Sequence, residues 1–147
     1  MEALYFGNAK GGLNHGGAGP GPWIMADMEN ALWGANVVQS NEETIDHEFV
    51  TALIKCDSNE GARSDQGHWE IKGADAQQGA FKSYWDGPRA EGYAPMKKQG
   101  AIILGIGGDN SDGATGTFYE GCMAQGVTTK ATDDALQANI VAAGYGK

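Results

Sequence analysis

Trp23-Ile24-Met25-Ala26-Asp27-Met28-Glu29-Asn30 sets two carboxylates two residues apart in an otherwise apolar run. A β-strand has a side-chain period of two. That period puts Trp23, Met25, Asp27 and Glu29 on one face and Ile24, Ala26 and Met28 on the other. Carboxylates beside apolar groups are costly to bury unless they are paired or have chemical work to do. The stretch therefore predicts a strand whose one face is apolar and whose other face carries acids for a purpose.

Working outward, the whole chain favours short strands over long helices. It has 147 residues, enough for one domain, and 41% of them are hydrophobic. Glycine is in excess, at 24 residues, with only 4 prolines and no Gly-X-Y period, which excludes collagen. Each glycine inside a helix costs roughly 1 kcal/mol relative to alanine, so long helices are not expected. The net charge of −9 argues against nucleic acid, which needs a basic face. There is no apolar run of membrane-spanning length, and Met1–Phe6 has neither the basic start nor the apolar core of a signal peptide.

Along the chain, Ala3–Phe6 reads as a short strand and Gly7–Pro22 as a glycine-rich loop. Strands are predicted over Trp23–Leu32, Glu48–Cys56, His68–Lys72, Ala80–Trp85, Ala101–Ile106 and Thr117–Met123, with polar or proline-bearing loops between them. Thr132–Gln137 reads as a short helical turn with Thr132 as its cap and Asp133 and Asp134 in its first turn. Ala138–Tyr145 reads as a final strand. Regularly spaced short strands and turns point to an all-β antiparallel sandwich. Cys56 and Cys122 both lie in strand-like runs and fit either one disulfide or two buried thiols. Zinc does not fit, because there is no Cys-x-x-Cys and the histidines are scattered.

A second acidic feature is Gly107-Gly108-Asp109-Asn110-Ser111-Asp112-Gly113, directly after the apolar run Ala101–Ile106. Gly105 and Gly107 begin a dinucleotide fingerprint, but its last glycine is replaced by Asn110 and no amphipathic helix follows. A calcium-binding EF-hand would need an acid at Gly108 and a glutamate at Tyr119. An irregular calcium site, an Asx turn and a catalytic acid held at the end of a strand remain as readings of Asp109. Taken with Asp27 and Glu29, the third reading gains a chemistry. Two carboxyl groups about 5–5.5 Å apart carry out double displacement at a sugar carbon. Trp23, Trp33, Trp69 and Trp85 could offer flat faces to sugar rings, or could simply fill the core.

The blocks Gly21–Asn30, Phe49–Lys55, Gly100–Ser111, Gly116–Gly121 and Gln137–Ala143 resemble, in that order, the catalytic domain of the α-L-arabinofuranosidase B family, glycoside hydrolase family 54. The resemblance implies a concanavalin-like β-sandwich and a retaining hydrolase. Such an enzyme removes terminal arabinofuranosyl residues from arabinoxylan and arabinan outside the cell, with no cofactor and no metal. It implies Glu29 as nucleophile and Asp109 as acid/base. Asp27, Asn30, Gly108 and Trp23 would stand around the sugar. Residues 1–147 are expected to be a single partial catalytic domain, the C-terminal half or so. The family's N-terminal half, its adjacent cysteine pair, the tryptophan of its glycine-rich loop and its sugar-binding trefoil domain have no counterpart here. The sequence reading also keeps open a non-catalytic carbohydrate-binding sandwich that retains the sugar pocket.

Overall fold

In the computed structural model, residues 2–8, 17–28, 32–34, 43–57, 67–88 and 116–147 are described. They form two antiparallel three-stranded sheets and one helix. The first sheet is β1 (Glu2–Gly7), β2 (Trp23–Met28) and β3 (Leu32–Trp33), with β2 in the middle. The second is β4 (Val50–Asp57), β5 (His68–Asp75) and β6 (Lys82–Pro88), with β5 in the middle. The helix α1 spans Lys130–Ala143.

The predicted alternation is what joins the sheets. Ile24 and Ala26 on one face of β2 meet Trp69 and Ile71 on one face of β5, and all four are buried. Leu4 and Trp33 flank this core from the first sheet, and Ala52, Ile54 and Cys56 from β4. Tyr84 and Trp85 are adjacent in sequence yet both pack on the same core. The register shift between Ile71 and Lys72 explains this: Trp85 opposes Ile71 and Ser83 opposes Lys72, leaving Tyr84 as an extra residue. Such a bulge breaks strict alternation and lets two neighbours share a face.

The outer face of β5 carries Glu70 and Lys72, both buried, and α1 covers it. At the far end Phe49, Tyr119 and Tyr145 gather, with ring centroids 5.3 to 5.6 Å apart. This trio ties residues 116–120 and the end of the chain to the start of β4.

Several expectations are corrected here. Ala138–Tyr145 is not a strand, because most of it belongs to α1, which is longer than the turn predicted over Thr132–Gln137. The cap is Thr129 rather than Thr132: the Thr129 hydroxyl accepts from the Thr132 amide at 3.2 Å. Thr117–Met123 forms no strand, and Phe118, Tyr119 and Met123 are each more than half exposed. Cys56 is half-buried and Cys122 exposed, with no disulfide between them. Of the four tryptophans, Trp23 and Trp69 are fully buried, which is the core-filling alternative. The run Ala101–Ile106 and the turn Gly107–Gly116 (but for Gly116) lie outside the described residues.

Candidate active site

β2 is where the sequence placed its acids, and the part of it that is described has the predicted two-faced character. Trp23, Met25 and Asp27 alternate with the core-facing Ile24 and Ala26. Asp27 is paired across the ladder with Ala3 on one side and Leu32 on the other. Trp23, Met25 and Leu32 form a second buried apolar cluster, with Tyr5 packed against it. Asp27 is 5% exposed, so this carboxylate is enclosed near the end of the strand. Glu29, Asn30, Gly108 and Asp109 lie outside the described residues.

The segment leading into β2 is locked in place by residues distant in sequence. The Trp23 indole Nε1–H donates to the Ala18 carbonyl at 2.8 Å. The Thr44 hydroxyl donates to the same carbonyl at 3.1 Å and accepts from the Gly21 amide at 3.1 Å. The Ile45 amide donates to the Pro22 carbonyl at 2.7 Å. Gly19 and Gly21 have φ of 79° and 77°, a left-handed backbone that favours glycine. A Cβ on Gly19 would sit 2.6 Å from the Thr44 hydroxyl, and one on Gly21 would sit 3.0 Å from the Trp23 ring. Close approach therefore also requires glycine at both positions.

A second cluster of charges was not singled out by sequence reasoning. Lys55 Nζ lies 2.6 Å from Glu70 and 2.7 Å from Asp133, and Lys72 Nζ lies 2.8 Å from Glu70 and 2.7 Å from Asp133. Thr128 donates to Asp133 at 2.6 Å, and the Lys55 ammonium also donates to the Thr128 carbonyl. Two cations and two anions close a ring between β4, β5 and α1. Burial pushes the Asp133 carboxyl up, but hydrogen bonds from Lys55, Lys72 and Thr128 outweigh it and hold the group down at about 2. Burial likewise raises Glu70, and the same two lysines bring it below its ordinary value. For Lys72 burial works downward, and Asp133 and Glu70 together raise it above the ordinary lysine value. A general acid or base must exchange its proton near the working pH. These groups move away from that range, so the ring is a staple for α1 rather than a proton-transfer pair. Its sequence signal was the Glu70–Lys72 spacing, which shares a strand face, and the Asp133–Gln137 spacing, which shares a helix face.

A family model described as "Alpha-L-arabinofuranosidase B, catalytic" matches residues 1–146. The chain belongs to the alpha-L-arabinofuranosidase B catalytic family. It is 49% identical over 149 aligned positions to a probable alpha-L-arabinofuranosidase B of Aspergillus flavus, and equally so to alpha-L-arabinofuranosidase B of Aspergillus oryzae. In each case 99% of this chain aligns with 28% of the relative, so the chain spans little more than a quarter of their length. Among solved structures, a glycoside hydrolase family 54 α-L-arabinofuranosidase soaked with a cyclic sulfate inhibitor matches with a TM-score of 0.80 at 47% identity. An arabinofuranosidase complexed with arabinofuranosyl-α-1,2-xylobiose matches with a TM-score of 0.79 at 46% identity. Both alignments cover 98% of this chain and 29% of the other. These matches agree with the resemblance read from the sequence blocks, and the two packed antiparallel sheets agree with the sandwich it implied.

Proposed function

We propose that this chain is part of a retaining α-L-arabinofuranosidase that releases terminal arabinofuranosyl residues from arabinoxylan or arabinan. The observation that carries the reading is family membership over nearly the whole chain, joined to the enclosed position of Asp27 two residues before Glu29. In this reading Asp27 and Glu29, two residues apart in sequence, serve the same sugar. The Glu29 carboxylate attacks the anomeric carbon while Asp109 donates its proton to the departing glycosidic oxygen. The resulting glycosyl–enzyme ester is then opened by water, which Asp109 deprotonates, and configuration is retained. Asp27 accepts hydrogen bonds from sugar hydroxyls as positive charge grows on the ring. Asn30 and the backbone at Gly108 complete the surroundings, while the fully buried Trp23 supports the strand. The substrate is neutral and polymeric, which suits an acidic protein acting outside the cell. A relative's structure holding an arabinofuranosyl xylobiose supports this substrate class.

Hydrolysis of p-nitrophenyl α-L-arabinofuranoside by the purified chain tests the reading. Removing either the nucleophile or the proton donor is expected to cost on the order of a thousandfold or more in kcat. Glu29→Gln and Asp109→Asn should each do so. Activity unchanged in either variant would falsify the assignment. Arabinose binding without turnover would instead favour a carbohydrate-binding role.

A further inference from the structure

Thr44 lies 21 residues beyond Trp23 in sequence, outside both sheets, yet its hydroxyl is central to the lock on the loop before β2. A threonine hydroxyl has one hydrogen to donate and lone pairs to accept with. Here the donation goes to the Ala18 carbonyl and the acceptance is from the Gly21 amide. The Ala18 carbonyl also receives the Trp23 indole. One hydroxyl thus sets the place of the oxygen that anchors the ring, and of the amide two residues before that ring's own backbone.

We propose that Thr44 is a positioning residue for the sugar pocket. By bridging Ala18 and Gly21 it fixes Trp23, and through Trp23 the outer face of β2 from which Asp27 projects. The inference rests on the reading of that face as part of an arabinofuranosyl site. Thr44 touches no reacting atom; it acts through the loop. Replacing it with valine keeps the shape and removes both hydrogen bonds, while the Ile45–Pro22 bond stays to hold the two segments together.

The test combines steady-state kinetics on p-nitrophenyl α-L-arabinofuranoside with the indole N–H resonance of Trp23 in the full chain, assigned by its loss in Trp23→Phe. Thr44→Val should move the Trp23 resonance and speed its exchange. It should lower kcat/KM about tenfold, the worth of one to two net hydrogen bonds, mainly through KM. Thr44→Ser retains the hydroxyl and should restore both readouts. A merely structural role would reduce the folded fraction and leave KM of the remainder unaltered, and that result overturns the proposal. So does a Trp23 resonance indifferent to Thr44→Val. If wild-type chain neither hydrolyses the glycoside nor shows any tryptophan shift on adding it, the sugar-site reading fails and takes this inference with it. That case is recognisable because the Trp23 resonance still responds to Thr44→Val.

Discussion

Asp133 carries a full charge into the interior, at 1% side-chain exposure, and survives there because two ammonium groups and a hydroxyl surround it. Its carboxyl is held at about 2, against an ordinary value of 3.8. A depressed carboxyl adds stability that is fully present above its unfolded value and is lost as pH falls through the folded one. The window here runs from about pH 4 down to about pH 2, and the amount is about 2 kcal/mol. Breaking a buried pair by removing one partner typically costs roughly 3–5 kcal/mol. Urea unfolding at neutral pH should therefore find Asp133→Asn destabilised by about that much. The gap to wild type should narrow by about 2 kcal/mol between pH 4 and pH 2. A gap that stays constant over that range means that the Asp133 charge is not what the lysines hold. Residue by residue, legibility tracked burial chemistry. Trp69 was readable only as an aromatic of two possible uses, since a tryptophan in a strand looks the same whether it faces a sugar or a second sheet. Lys55 and Lys72 were not singled out, because nothing local reveals a partner 61 or more residues away.

At the scale of the element, α1 is the instructive case. Its inward stripe is Asp133, Leu136, Gln137, Ile140 and Val141, a spacing with helical period, but its two most buried members are polar. Hydrophobic periodicity was therefore weak, and Ile140-Val141 drew the segment toward a strand reading by their β-branching. Gln137 shows why the polar choice works: its amide donates to the Asp75 carbonyl at the end of β5 at 2.8 Å. The strands were far more legible, because β2, β4 and β5 alternate between two distinct faces, and their boundaries moved by only a few residues. The helix ends are marked by Thr129 and by Gly144, which has φ of 76° and donates its amide to the Val141 carbonyl. Thr129→Ala should cost about 1 kcal/mol and Thr129→Ser almost nothing, read as loss of helical circular dichroism on heating. Gly144→Ala should cost a further 1 kcal/mol or so, because alanine resists the left-handed backbone. If Thr129→Ala and Thr129→Ser melt alike, the cap hydroxyl contributes nothing to α1.

Across the whole molecule, β5 is the strand through which every layer communicates. Trp69 and Ile71 on one face meet the first sheet, and Glu70 and Lys72 on the other meet α1. The two contacts differ in kind: one is apolar and non-directional, the other a closed set of ion pairs. If both bind tightly, sheets and helix must melt together. Fluorescence and circular dichroism separate them, since all four tryptophans lie in the sheets and α1 has none. Ile71→Ala removes three methyl or methylene groups from the core between the sheets without touching the ion pairs. Such a deletion costs about 2–5 kcal/mol, or roughly 6–15 °C in Tm for a chain of this size. The fluorescence and 222 nm transitions should fall by the same amount and stay superimposed, because α1 has no apolar face sufficient to hold itself once β5 is released. Should the helical signal outlast the tryptophan signal in Ile71→Ala, the ring of Lys55, Glu70, Lys72 and Asp133 would be a local clasp on the second sheet alone. The face of β2 that bears Asp27 would then be free to loosen while the rest of the fold persists.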